Sequence, residues 1–172
     1  MTPREITLRS TIPLVINVFN QLHYLKRIVE QFAGNGFRNI VVIDNNSSFP
    51  PLLDYYKDLT HTRAANIIFY NNNHGPHYFF LQNVYQHLFE STPFLYTDPD
   101  LAWAEVSPTF LTSLFELSHR LKLFKVGCAL TLPSEEFFKP DFPLFHCNNR
   151  TYTVPQWEEQ FWRNQIERNV YN

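Results

Sequence analysis

Hydrophobic positions along the chain switch repeatedly between two periods. Ile12-Pro13-Leu14-Val15-Ile16-Asn17-Val18-Phe19 is a nearly continuous apolar run rich in β-branched residues, the pattern of a strand buried on both faces. Leu22, Leu25, Ile28, Val29 and Phe32 then recur at helical spacing, and Gly34-Asn35-Gly36 stops that helix. Asn39 to Asp44 reads as a second buried strand, emptying into the polar loop Asn45-Asn46-Ser47-Ser48-Phe49-Pro50-Pro51. Leu52 to Leu59 predicts a short helix and Asn66 to Tyr70 a third strand, followed by the polar loop Asn71-Asn72-Asn73-His74-Gly75-Pro76. Leu81, Val84, Tyr85, Leu88 and Phe89 mark one further helix, and Phe94 to Thr97 a fourth strand. Ser107-Pro108 predicts a helix start, with Ser as N-cap and Pro at the first helical position, and Phe110, Leu111, Leu114, Phe115, Leu117 and Leu121 form that helix's apolar face. Lys125 to Leu132 reads as another strand, Phe137 to Tyr152 as loop with short strands, and Gln156 to Asn169 as an amphipathic helix.

Repeated strand-helix-strand units of this size imply an α/β fold: a mostly parallel central sheet with helices on both faces and right-handed crossovers. In such sheets the ligand crevice lies outside the carboxyl ends of the strands. The polar loops after the first four strands all fall at that edge. With 172 residues, no internal repeat and no linker-like stretch, the chain is expected to be a single domain, or one piece of a longer polypeptide.

Composition narrows the function classes. Fourteen basic and 16 acidic residues give a formal charge of -2 without a basic stripe, which argues against nucleic acid as a partner. The 17 Phe and 9 Tyr supply core volume and can also form platforms for sugar rings or nucleobases. Cys128 and Cys147 have neither metal-ligand spacing nor the look of a disulfide framework, so a reduced, cytosolic setting is expected. Met1-Thr2-Pro3-Arg4-Glu5 has no apolar signal-peptide core, and no apolar run approaches the roughly 20 residues that span a bilayer.

The chemistry concentrates after the strands. Asp98-Pro99-Asp100 follows the fourth strand, and two carboxylates one residue apart there can hold Mn2+ or Mg2+, whose other positions go to water and phosphate oxygens. The alternative is a turn in which Asp98 caps the following segment. Asp44 at the end of the second strand can accept hydrogen bonds from a ribose hydroxyl or a base imide; an Asx-turn closing the strand is the competing reading. Gly75, one of only four glycines, points to a positive-φ turn or a close ligand approach. His77 either donates to a phosphate or is simply exposed in a polar loop.

Taken together, Ile12 to Asn20, Asp44-Asn45-Asn46-Ser47-Ser48, Asn73-His74-Gly75 and Thr97-Asp98-Pro99-Asp100 resemble a GT-A-fold glycosyltransferase, nearest to the large inverting group usually called family 2. The resemblance covers about residues 12 to 132, the expected nucleotide-sugar-binding part, and leaves about 133 to 172 for the acceptor. It implies that Phe19 and Asn20 lie against the base, that Asp44 and Asn46 contact the nucleoside, that Asp98 meets the ribose or donor sugar and shares the metal, and that Asp100 is the metal ligand. By the same resemblance the partners are a nucleotide-sugar donor, UDP-linked by family habit with GDP and dTDP open, and a glycan or other hydroxyl acceptor. The bulky Pro76, His77, Tyr78, Phe79 and Phe80 depart from the small residues common at that point in the family.

An inverting transfer needs a carboxylate to take the acceptor's proton. Glu135, Glu136, Asp141, Glu158 and Glu159 are the candidates; Glu158 is preferred because Trp157 and Trp162 flank it, with Glu159 next. Two rival readings stand beside this one. A sugar-1-phosphate nucleotidyltransferase would want a Gly-rich basic loop after the first strand, and Phe19-Asn20-Gln21-Leu22-His23 has neither glycine nor Lys or Arg. A non-catalytic nucleotide- or carbohydrate-binding module would bind the same ligands without turnover.

Overall fold

The structure, a computed structural model, describes residues 1–103, 105–128, 145–147, 150–153 and 155–156. The chain divides into two compact units, Met1–Lys122 and Leu123–Asn172. In the first unit the order is α1 (Pro3–Thr11), β1 (Leu14–Val18), α2 (Leu22–Gly34), β2 (Ile40–Asp44), α3 (Pro50–His61), β3 (Asn66–Phe69), α4 (Tyr78–Leu81), α5 (Val84–Phe89), β4 (Leu95–Thr97) and α6 (Phe110–Leu121). In the second unit, β5 (Phe145–Cys147) and β6 (Arg150–Tyr152) form an antiparallel pair.

The first four strands make one all-parallel sheet in the order β3-β2-β1-β4, flanked by helices, so the expected α/β architecture is the observed one. Period-two alternation explains why β1 and β2 read as continuous apolar runs. Leu14, Ile16 and Val18 of β1, with Ile40 and Val42 of β2, join a core built from Leu25, Ile28, Val29 and Phe32 of α2, Leu52, Tyr56 and Leu59 of α3, and Phe110 and Leu111 of α6. Val15 and Ile43, on the other face, pack with Phe79 of α4 and with Phe80, Val84, Tyr85, Phe89, Phe94 and Tyr96. Both faces are covered, one by aliphatic helices and one by an aromatic layer in which the Phe79 and Tyr96 rings stack 5.1 Å apart.

Several expectations need correction. The helix from Leu81 to Phe89 is two short ones, because Asn83 adopts a left-handed conformation (φ +51°), which Asn tolerates better than most residues and which ends α4. The helix expected to start at Ser107-Pro108 begins at Phe110 instead. Its amide groups at Leu111 and Thr112 are capped by a carboxylate from more than a hundred residues away, so no local Ser cap is required. Lys125–Cys128 form no strand, and the rest of that expected strand, with most of the Gln156 to Asn169 helix, lies outside the described residues.

That remote carboxylate belongs to Glu5 of α1, a helix absent from the hydrophobic pattern. Thr2 caps α1 by accepting from the Glu5 amide at 3.2 Å, and Pro3 opens it. Glu5 and Arg9 are both buried and paired at 2.8 Å. Glu5 Oε1 also accepts from the Leu111 amide at 3.1 Å, and Oε2 from the Thr112 amide and hydroxyl at 2.8 Å each. Arg9 donates to the Asn35 carbonyl at 2.8 Å and to the Ser107 carbonyl, with its guanidinium over the Phe37 ring. Burial alone would push the Glu5 carboxyl up, but the donors from Thr112, Arg9 and Leu111 together hold it below its usual range. One buried ion pair thus joins α1, the end of α2 and the start of α6.

Candidate functional site

A cavity of about 330 Å³ opens at the carboxyl ends of the parallel strands. Its lining comes from the loop after every one of the four strands: Asn17, Val18, Phe19 and Gln21 around the end of β1, Asn45 after β2, Asn73, Gly75 and Pro76 after β3, and Asp98, Pro99 and Asp100 after β4. Among the described residues, no Lys or Arg is part of that lining. The expected placement of the crevice therefore holds, and Phe19, Gly75, Asp98 and Asp100 meet in it.

Asp98 and Asp100 flank buried Pro99 and are both exposed on the open side. Desolvation within the concavity, followed by the negative charge of Asp100, raises the Asp98 carboxyl above its ordinary range; nearby His77 acts in the opposite direction. Two acceptor-only groups facing one space are short of cations. A hard divalent ion would satisfy both, since Mg2+-type ions take one or two carboxylates and complete their shell with water and phosphate. Among the described residues no cluster of three or more His, Cys, Asp or Glu is placed to hold a metal. Two carboxylates in this position could contribute to a divalent cation whose remaining ligands come from elsewhere.

Phe19 leaves 44% of its surface exposed at the rim, an unpaired apolar ring beside polar groups. Gly75 has φ +81°, and a Cβ there would meet nothing within 4 Å, so the glycine serves the turn and not a close protein approach. His77 precedes α4 and lies outside the lining, near enough to Asp98 to influence its charge.

Three expected residues have other employment. Asp44 is 2% exposed; its Oδ1 accepts from the Tyr56 hydroxyl at 2.7 Å and its Oδ2 from the Ser47 amide at 2.8 Å. Strand parity explains this: Asp44 is in register with Val18 and continues the side of Ile40 and Val42, which faces α3. It has no place in the cavity lining. Asn20, at φ +57°, accepts from the Ser48 and Phe49 amides at 2.9 and 3.0 Å, tying the exit of β1 to the start of α3. Asn46, at φ +64°, is a turn residue in the same loop and also lies outside the lining. Glu158 and Glu159 lie outside the described residues.

Asn17 and Asn45 are among the lining residues that the sequence did not single out. Asn17 is the one polar residue inside β1, and parity puts it on the Val15 side, toward the cavity; that polar interruption was the available signal. Asn45 is 3% exposed, and nothing in the run Asn45-Asn46-Ser47-Ser48 distinguishes it from its neighbours. Its backbone amide donates to the Val18 carbonyl at 2.8 Å. Its side chain donates to the Gly75 carbonyl at 3.0 Å and accepts from the His74 amide at 2.9 Å.

No protein-family model matches the chain, and no curated protein matches it in sequence. Among solved structures the chain is similar to the mannosyltransferase PcManGT from Pyrobaculum calidifontis, solved in complex with GDP-Man and Mn2+, at 16% identity and a TM-score of 0.46. The match covers 66% of this chain and 33% of that one, so the chain spans about a third of that protein's length. It is the chemistry of the cavity's own residues that bears on function.

Proposed function

We propose that the chain is a metal-dependent glycosyltransferase domain of GT-A type, with its donor-binding part at about residues 12–132, moving a sugar from a nucleoside diphosphate donor to an acceptor hydroxyl of a glycan or lipid-linked saccharide. The observation that carries this reading is the convergence of Asp98 and Asp100 with the Gly75 loop and Phe19 in one cavity at the carboxyl edge of a parallel sheet. Asp100, with Asp98, is the proposed holder of Mn2+ or Mg2+, which when bound would neutralise charge on the departing diphosphate. Phe19 offers the base an exposed ring. Asp44 enters the proposal as the group that shapes the β2–α3 turn.

In the proposed reaction the acceptor oxygen attacks the anomeric carbon, the bond from that carbon to the diphosphate oxygen breaks, and the acceptor proton passes to a carboxylate. Glu158 or Glu159 is the proposed base. A nucleotidyltransferase would want a Gly-rich basic loop after β1, and Phe19-Asn20-Gln21-Leu22-His23 has neither glycine nor Lys or Arg.

The test is turnover. The protein with Mn2+ is incubated with UDP-, GDP- and dTDP-sugars and hydroxyl acceptors, and release of the nucleoside diphosphate is followed. Release that requires the metal and is lost in Glu158→Gln or Glu159→Gln supports the assignment. Tight, metal-dependent binding without any release or transfer points to the non-catalytic module instead.

A further inference from the structure

The Gly75-Pro76 part of the cavity wall has a feature that the fold does not demand. Backbone carbonyls in a loop are ordinarily left to water. Here the two carbonyls of the Gly75-Pro76 turn are engaged by polar side chains at the ends of the strands. Asn45 Nδ2 donates to the Gly75 carbonyl at 3.0 Å, the Tyr96 hydroxyl to the Pro76 carbonyl at 3.4 Å, and Asn17 Nδ2 reaches the same Pro76 oxygen at 3.5 Å. Asn45 completes the pairing by accepting from the His74 amide at 2.9 Å, and Asn73 Oδ1 accepts from the Gly75 amide at 2.9 Å. The Asn45 amide therefore acts as a one-residue strand partner for the loop. Asn45 is 3% exposed.

We infer that Asn45 is a positioning residue that makes this wall acceptable to an anion by engaging the Gly75 carbonyl and fixing the turn that carries it. The inference rests on the diphosphate reading above and names how the site admits that group. A ligand phosphate in this cavity meets the carboxylates of Asp98 and Asp100. A cation between carboxylates and phosphate removes one source of repulsion, and donors that occupy the Gly75 and Pro76 carbonyls reduce another. If Asn45 is cut, the Gly75 carbonyl loses its buried donor and the turn is free to present that oxygen to the ligand. The Gly75 backbone, already at φ +81°, has the freedom to do so. Tyr96 is the secondary tie.

The experiment compares Asn45→Ala and Tyr96→Phe with the parent protein, titrating each with three probes: UDP or GDP with Mn2+, Mn2+ alone, and uridine or guanosine. Asn45→Ala is expected to bind the Mn2+–diphosphate about ten-fold more weakly, the loss that goes with an unmade buried hydrogen bond. Its affinity for Mn2+ alone and for the nucleoside is expected to stay unchanged. Tyr96→Phe, which keeps the ring stacked on Phe79, should show the same pattern with a smaller loss. Faster hydrogen exchange at the His74 amide in Asn45→Ala reports release of the loop without any ligand. A parent protein that binds diphosphate while Asn45→Ala binds it equally well overturns the inference alone, as does an equal loss for all three probes. A parent protein that binds neither diphosphate with Mn2+ overturns the functional reading on which the inference rests.

Discussion

Two acidic sites in the first unit meet opposite fates. Glu5 is fully buried, yet its carboxylate receives donors from Arg9, Leu111 and Thr112 and is held below the usual range. Asp98 is exposed on one side, faces a second carboxylate and is pushed up. The first has every lone pair claimed by the protein and is a structural device. The second has its demand left unmet, and demand left unmet at the carboxyl edge of a parallel sheet is what a ligand can supply. Satisfaction, more than burial, separates the two roles.

The largest effect is expected from breaking the satisfied site. Glu5→Ala leaves Arg9 buried without its partner and uncaps α6, and should cost about 3–5 kcal/mol, read as a large fall in the midpoint of urea unfolding. Glu5→Gln should retain part of the capping and fall between Ala and the parent. If Glu5→Ala unfolds within about 0.5 kcal/mol of the parent, the comparison fails on its structural side.

A middle-sized effect sharpens the place of Asp44. Tyr56→Phe removes the hydroxyl that donates to Asp44 at 2.7 Å and is expected to cost about 1 kcal/mol of stability. Nucleoside diphosphate affinity should be unaltered, because Asp44 lies outside the cavity. A marked loss of affinity at intact stability would instead place Asp44 against the nucleoside.

The smallest effect is a pair of opposite pH slopes measured without divalent cation. Glu5 is depressed from 4.5, so its stabilisation is present above that pH and is lost as the pH falls through its lower folded value. Asp98 is raised from 3.8, so the folded state holds its proton more firmly; that contribution is present below 3.8 and is lost as the pH rises through the raised value. Glu5→Gln should flatten the acid limb, while Asp98→Asn should remove a weak decline on the other side. Identical slopes in both variants would erase the distinction.

Much of this arrangement was legible in the residues, for physical reasons that can be named. Strands β1 and β2 are buried on both faces and announce themselves as apolar runs, and α2 shows its four buried residues at helical spacing. Once a parallel sheet is inferred, the loops after its strands must share one edge, which brings Asp98, Asp100, Gly75 and Phe19 together. Contacts distant in sequence were not legible. Nothing local tells Glu5 that its partners are Leu111 and Thr112, although Thr2-Pro3-Arg4-Glu5 carries the cap-and-Glu spacing of a helix start. The Tyr56 partner of Asp44 was not legible, since it depends on α3 returning to the face that Asp44 shares with Ile40 and Val42. Asn45 was hidden because its role depends on where the Gly75 loop returns, 30 residues later.

The central claim is that the Asp98–Asp100 cavity binds a nucleoside diphosphate through a divalent cation. Calorimetric titration of UDP and GDP into the protein, with and without Mn2+, tests it most directly when repeated on Asp100→Ala. The account predicts binding that Mn2+ strengthens in the parent protein, and loss of that strengthening in Asp100→Ala with the unfolding midpoint unchanged. Metal-dependent binding that persists undiminished in Asp100→Ala would contradict it.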